Sequence, residues 1–114
     1  MADAALTVPA DSADFGLPAA ALSAICRVLS QYPQIQRALV YGSRAKGNYR
    51  SGSDIDLTLN GPELTFNDLM RIETELDDLM LPWKIDLSLL SYIDNPDLLD
   101  HITRVGKPLW IKKN

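Results

Sequence analysis

The sequence predicts one small α/β (α+β) domain, in which helices pack against a short sheet. Short runs of alternating or continuously apolar residues are typical of strands, and they recur between segments whose apolar residues have helical spacing. Proline and glycine stand at the borders of these segments. A chain of 114 residues is an ordinary length for one domain with one core. We expect this domain to cover 17–114, and we expect 1–16, which is rich in Ala and Asp, to be a flexible tail.

The expected elements alternate along the chain. Leu22, Ile25 and Leu29 recur at helical spacing, Thr65 and Asp68 form a variant of the capping box, and Gly106 ends the last helix. In order, we predict a helix over 18–31, a strand over 35–41, a helical turn over 43–48, a strand over 54–59, a helix over 65–80, a strand over 84–90, a helix over 96–105 and a short strand over 109–111. This order predicts helices layered around a small sheet.

Composition excludes several classes of protein. A formal net charge of −4 argues against a general nucleic-acid binder, which normally carries a basic face. The chain has no apolar run of about 18–20 residues, the length that a transmembrane helix needs, and its N-terminus lacks the pattern of a signal peptide. The single cysteine, Cys26, is expected to be a small buried hydrophobe. These observations favour a cytoplasmic protein.

Two carboxylates follow a glycine turn at a distinctive spacing. Gly42-Ser43 is followed, after ten residues, by Asp54-Ile-Asp56. Side chains alternate along a strand, so Asp54 and Asp56 are expected to project from one face. Asp86 lies on the polar face of another apolar strand, and three carboxylates converge if the two strands are neighbours. Such charges repel one another unless cations lie between them, and Mg²⁺ prefers oxygen ligands of this kind. Two ions about 3.5–4 Å apart would activate an attacking oxygen and stabilise a leaving pyrophosphate.

The turn before these carboxylates has the features of a phosphate-binding segment. Gly42 allows the backbone to approach an anion closely, and Ser43 offers a hydroxyl at the start of a predicted helix. Arg44 adds a positive charge that either reaches a phosphate or remains a surface charge.

Other binding motifs are excluded. A P-loop needs Lys-Ser/Thr where this chain has Asn48-Tyr49, and an EF-hand needs glycine where it has Leu59. His101 is the only histidine and has no Cys or His partner at metal-ligand spacing, so we do not expect it to bind a metal.

These residues resemble the DNA polymerase beta-like nucleotidyltransferase superfamily, and in particular its minimal single-domain (MNT) members, antitoxins encoded beside HEPN-domain proteins. Gly42, Ser43, Asp54 and Asp56 match the signature without gaps, Asp86 matches the third carboxylate, and the likeness spans 35–111.

The resemblance implies a mixed sheet flanked by helices and transfer of NMP from an NTP, usually ATP, with two Mg²⁺ ions. Asp54 and Asp56 would hold both ions. Asp86 would bind the catalytic ion and help to deprotonate the acceptor hydroxyl. Gly42 and Ser43 would hold the triphosphate. The partner would be a HEPN toxin with a tyrosine that accepts AMP.

Two alternatives remain open at this stage. The protein could neutralise its partner by binding alone, with catalysis dispensable. A small-molecule transferase of the aminoglycoside-modifying kind is disfavoured, because no residues remain for an additional substrate-binding segment. The chain contains only a catalytic core, so we expect a partner protein or another subunit to complete the cleft. The residues leave open the preferred NTP, the acceptor, the number of groups transferred and the oligomeric state.

Overall fold

The structure, a computed structural model, describes residues 14–113 and contains every predicted element in the predicted order. The helices are α1 (Ala19–Leu29), α2 (Gly42–Lys46), α3 (Phe66–Asp77) and α4 (Pro96–Val105), with a short 3-10 helix at Leu90–Tyr92; the strands are β1 (Arg37–Tyr41), β2 (Ile55–Asn60), β3 (Ile85–Leu89) and β4 (Lys107–Ile111). Strand β4 begins two residues before the predicted strand. No helix in this part of the chain has both the length and the apolar character needed to cross a membrane.

The strands form a mixed four-stranded sheet in the order β3-β2-β1-β4, within the described residues. Strand β1 is antiparallel to β2 and β4, whereas β2 and β3 are parallel. A parallel pair cannot be joined by a tight turn, and α3 provides the crossover between β2 and β3. The predicted fold class is therefore confirmed.

One face of the sheet, here called the core face, carries the main hydrophobic core. Val40, Ile55, Leu57 and Leu59 on this face are at most 1% exposed, and α1 and α3 lie with them in one core. Cys26 on α1 is fully buried, and burial raises the pKa of its thiol to about 11. This confirms the expectation of a buried structural cysteine.

Helix α3 begins as the sequence predicts. The Thr65 hydroxyl accepts a hydrogen bond from the Asp68 N–H at 3.2 Å, and the Asp68 carboxylate accepts one from the Thr65 N–H at 2.9 Å. The two bonds satisfy backbone donors that would otherwise lack partners at the start of the helix. This reciprocal cap defines where the crossover connection enters its helix.

The opposite face of the sheet, here called the site face, is covered only in part. Tyr41, Asp56, Thr58 and Ser88 belong to it because they alternate with core residues along their strands. Helix α4 contacts β1, and the short helix α2 contacts α4 as well as β1 and β2. Ile102 of α4 is buried but lies outside the main core cluster.

Residues just before 17 pack against the domain. Residues 1–13 of the predicted tail lie outside the described residues. Phe15, however, is only 1% exposed and belongs to the core cluster. The Leu17 N–H donates to the Asp14 carbonyl at 2.9 Å, closing a turn before α1. Residues from Phe15 onward are thus part of the packed domain.

Candidate active site

The three predicted aspartates lie at one end of the site face. Asp56 lies in β2, Asp54 directly precedes that strand, and Asp86 is the second residue of β3. The parallel register places Asp56 opposite Asp86. Neighbouring strands are about 4.8 Å apart, so their two carboxylates are adjacent. The expectation that the two strands are neighbours is confirmed.

The electrostatics of Asp56 reflect this crowding. Burial is the main cause that raises the pKa of Asp56, and the charges of Asp86 and Asp54 raise it further. His101 acts in the opposite direction and lowers the pKa in part. Because these like charges lie close together, the site attracts cations.

The Gly42 turn packs directly against Asp56. Gly42 has a φ of +72°, and a Cβ atom placed there would lie 2.3 Å from Asp56 Oδ2. Only glycine therefore fits without displacing the carboxylate. Ser43 follows in the first turn of α2 and is half-buried. The turn and the carboxylates thus form one contiguous site.

His101 is a residue of this site that the sequence analysis missed. Its Nε2 accepts a hydrogen bond from the Gly42 N–H at 3.1 Å. Its ring meets the Tyr41 ring edge to face, with centroids 6.1 Å apart. Its neighbours on the helix offered a signal, because Leu98 and Val105 lie three and four residues away on the predicted apolar face. That spacing directs His101 inward, toward the turn.

Hydroxyl groups connect the strands below the carboxylates. Ser88 Oγ donates to Thr58 Oγ1 at 2.9 Å, and Thr58 is fully buried. Burial raises the pKa of the Tyr41 phenol, while a hydrogen bond with Ser88 lowers it. The charges of Asp56 and Asp86 also raise it. These hydroxyl groups thus provide hydrogen-bond partners for one another in the part of the sheet next to the carboxylates.

The structure corrects the predicted role of Arg44. Its side chain is only 2% exposed. Nη1 donates to the Phe15 carbonyl at 2.8 Å, and Nε donates to the Ser53 carbonyl at 3.0 Å. Nη2 donates to the Ser51 carbonyl at 3.2 Å and to the Arg50 carbonyl at 3.5 Å. A guanidinium committed to four carbonyls is not directed at a phosphate, so Arg44 is a structural residue.

Aromatic rings enclose the same guanidinium. Arg44 Cζ lies 5.0 Å from the centroid of Tyr49 and 5.7 Å from that of Trp83. Trp83 Nε1 also donates to the Ser51 carbonyl at 2.8 Å. Arg44 therefore holds the loop that enters β2 and thereby positions Asp54.

The donor set fits Mg²⁺. Asp54, Asp56 and Asp86 offer hard carboxylate oxygens, and the turn holds the Asp56 carboxylate close. Within residues 14–113, no three His, Cys, Asp or Glu side chains are grouped so that they could hold a metal ion by themselves. Mg²⁺ does not need such a group, because it usually retains water and binds substrate phosphates as well as one or two carboxylates.

A mixed sheet with paired carboxylates beside a glycine turn is the arrangement expected of a nucleotidyl-transfer domain. Residues 23–114 match the family model described as "Polymerase beta, Nucleotidyltransferase". The chain belongs to this family and is a nucleotidyltransferase. No curated protein matches the chain.

Solved structures of toxin–antitoxin proteins share the fold. One, a toxin–antitoxin with AMP-PNP, is 22% identical, with a TM-score of 0.65 over 81% of this chain and 74% of that chain. A tri-AMPylated Shewanella oneidensis HEPN toxin in complex with an MNT antitoxin is 20% identical, with a TM-score of 0.61 over 82% and 71%. An MntA-HepT toxin–antitoxin is also 20% identical, with a TM-score of 0.61 over 83% and 74%. At these identities the likeness is one of fold.

Replacement of Gly42 by alanine should disrupt the site beyond its effect on the backbone. The φ of +72° and the contact with Asp56 Oδ2 predict a loss of about 1–2 kcal/mol from the left-handed backbone, together with displacement of the carboxylate. Gly47→Ala is the matched control, since its φ is +89° but no atom lies within 4 Å. Urea unfolding and nucleotidyl transfer would be measured for both. Equal losses of activity in the two variants would contradict the proposed collision.

Asp56→Asn should stabilise the protein at pH 7.5 in the absence of divalent cations. The folded state raises the pKa of Asp56 above its ordinary value of 3.8. From that value upward, the folded state therefore binds more protons than the unfolded state, so the wild-type free energy of unfolding falls as pH rises. Asparagine carries no ionisable group, so the variant does not lose free energy of unfolding in this way as pH rises.

Urea unfolding in EDTA at pH 7.5 and pH 4 measures the effect. The gain should be larger at pH 7.5, and Mg²⁺ should stabilise the wild type more than the variant. Glu63→Gln, at an exposed residue of another turn, serves as the control. A variant less stable than the wild type at pH 7.5 in EDTA would refute the argument.

Proposed function

We propose that the protein transfers AMP from ATP, with Mg²⁺, to a hydroxyl group of a protein partner and thereby acts as an antitoxin. The in-register pair of Asp56 and Asp86 beside the Gly42 turn carries this proposal. This pair lies at the open end of the site face, where a second molecule can approach Asp86, an exposed residue.

The three carboxylates divide the chemistry between them. In this proposal Asp54 and Asp56 would hold two Mg²⁺ ions, and Asp86 would contribute a third carboxylate. The bound ions supply positive charge that offsets the triphosphate and the leaving pyrophosphate. The charges that raise the pKa of Asp56 are the same charges that such ions would neutralise.

Asp86 has a second role as the group that receives a proton. The acceptor hydroxyl gives its proton toward the Asp86 carboxylate, and its oxygen forms a bond to the α-phosphorus of ATP. The bond from that phosphorus to the bridging β-phosphate oxygen breaks, and pyrophosphate leaves. Asp86 is suited to this role because it is exposed at an edge strand of the sheet.

The glycine turn binds the triphosphate in this proposal. Ser43 offers its hydroxyl and backbone N–H, and Gly42 brings the turn against the carboxylates without a Cβ atom. His101 accepts the Gly42 N–H and so orients the turn from α4. Arg44 contributes indirectly through the loop that it holds.

The structural relatives support both the nucleotide and the partner. One was solved with AMP-PNP, and another contains an AMPylated HEPN toxin bound to an MNT antitoxin. We therefore propose ATP as the nucleotide and a tyrosine of a HEPN toxin as the acceptor. Modification of that tyrosine would silence the toxin, and we place the reaction in the cytoplasm.

Labelled transfer tests this function directly. The protein would be incubated with α-³²P-ATP, Mg²⁺ and the product of the adjacent gene, which this proposal expects to be a HEPN protein, and label should enter that product. Asp86→Asn should lower the rate by roughly 10²-fold or more, the usual contribution of a positioned proton acceptor. Glu63→Gln should transfer at the wild-type rate. Absence of transfer by folded wild-type protein would count against the proposal.

Neutralisation in cells separates catalysis from binding. The Asp54→Asn/Asp56→Asn variant retains the core residues of β2 and should still fold, but it should fail to protect cells that express the toxin. Protection by the wild type and by Glu63→Gln controls for expression, and circular dichroism checks the fold. Full protection by the double variant would instead favour an antitoxin that acts by binding alone.

A further inference from the structure

A concave region lies on the site face, at the end of the sheet away from the aspartates. Its volume is about 360 Å³, which is at the lower end of the range of binding pockets, about 300–1,000 Å³. Its walls include Arg37, Leu39, Leu90, Leu99, Ile102 and Thr103. The inner wall is apolar, and exposed Arg37 and Thr103 form part of its mouth. We call this cavity the acceptor pocket.

A partly exposed strip along β3 connects the carboxylates with this pocket. Asp86 and Ser88 alternate along the site face, and Leu90, the next residue of that series, lines the pocket. Asp86 is exposed, Ser88 and Leu90 are half-buried, and β3 is an edge strand of the sheet. At about 3.3 Å per residue of extended chain, Asp86 and Leu90, the first residue after β3, are about 13 Å apart. Four residues of an extended polypeptide span the same distance.

The mouth of the pocket carries a cation, Arg37, that forms no ion pair with residues 14–113. Among these residues the only ion pair joins Arg104 and Asp100, so none of their carboxylates lies within 4 Å of the Arg37 guanidinium. Arg37 is exposed beside an aliphatic wall, at the start of β1. A ligand that combines an apolar side chain with a neighbouring carboxylate complements this arrangement.

From these features, and resting on the proposed transfer to a protein hydroxyl, we propose that the acceptor pocket recognises the acceptor polypeptide. It binds an apolar side chain about four residues from the modified hydroxyl, in an extended segment that follows β3. A carboxylate next to that side chain pairs with Arg37. The pocket thereby selects the acceptor, while the three aspartates perform the transfer.

The lining favours a polypeptide side chain as the occupant. Leu39, Leu99 and Ile102 are aliphatic, and the pocket lining contains no aromatic ring on which a nucleobase could stack. Such a wall with one cation at its edge provides affinity through apolar burial and selectivity through charge. The partly exposed strip that leads to Asp86 connects the acceptor pocket with the place where the reaction occurs.

Two variants test the pocket by transfer kinetics. Thr103→Phe places a large side chain at the mouth, and Arg37→Glu reverses its charge. Each should raise the KM for the acceptor protein about tenfold, because loss of one apolar or charged contact is worth a factor of this order. The KM for ATP and the slow hydrolysis of ATP without acceptor should not change, since neither residue touches the aspartates.

Matched controls exist on the opposite side of the molecule. Thr74 on α3 is exposed and bonds to the carbonyl four residues earlier at 3.0 Å, as Thr103 does at 2.9 Å. Arg27 on α1 is exposed, like Arg37. Thr74→Phe and Arg27→Glu should leave the acceptor KM unchanged. Equal effects of a pocket variant and its control would overturn the proposal.

Peptide binding without ATP separates this proposal from the proposed function. Fluorescein-labelled Gly/Ser peptides would carry one tyrosine and a Leu-Glu pair placed two to six residues away on either side. Anisotropy should show the tightest binding with leucine four residues away on one side, and Thr103→Phe should remove this preference. Binding that does not depend on the position of the Leu-Glu pair would refute the proposed role of the acceptor pocket. Failure of the wild type to transfer label would refute the proposed function, but it would leave this positional result interpretable.

Discussion

The parallel, in-register pairing of β2 with β3 is the constraint on which the site depends. It brings Asp56 beside Asp86 on the same face, where burial and like charge make ionisation unfavourable. The folded chain therefore holds an arrangement that is unfavourable in its own right. The opposing contribution comes from the core face, where Ile55 and Leu57 are completely buried.

Because side chains alternate along a strand, the residues on one face of β2 determine which residues lie on the other. A slip of one residue would place Asp56 in the core and Leu57 at the surface. The apolar residues of β2 that face the core thus determine that Asp56 points toward the site face. For this reason the stability of the core and the geometry of the site cannot be changed independently along β2. The Gly42 turn adds a second restraint, since it packs against the same carboxylate.

Features encoded by local periodicity were predicted well from the sequence. Alternation over 54–59 and 84–90 predicted that Asp56 and Asp86 lie on the polar faces of their strands. In the structure the two strands are neighbours, so these polar faces coincide. Strand β4 was predicted two residues too short at its start, and the missed part includes Pro108. Proline is tolerated here because β4 is an edge strand, next to an irregularity between Ala38 and Leu39.

Contacts between distant segments could not be predicted in this way. The partners of Arg44 include the Phe15 carbonyl, and that of His101 is the Gly42 N–H, 59 residues away. An arginine next to a glycine turn has the same local pattern whether it binds phosphate or backbone. Only the tertiary structure, which encloses Arg44 between two rings and four carbonyls, distinguishes these roles.

The enclosure of Arg44 also limits how the chain can vary in length. Surface loops usually accept inserted residues at a small entropic cost. Here one side chain of fixed reach, anchored in α2, bonds to the carbonyls of Arg50, Ser51 and Ser53. An added or deleted residue between Gly47 and Ser53 would shift these carbonyls away from the guanidinium. The reach of one arginine side chain thus restricts the segment between Ser43 and Asp54 to ten residues.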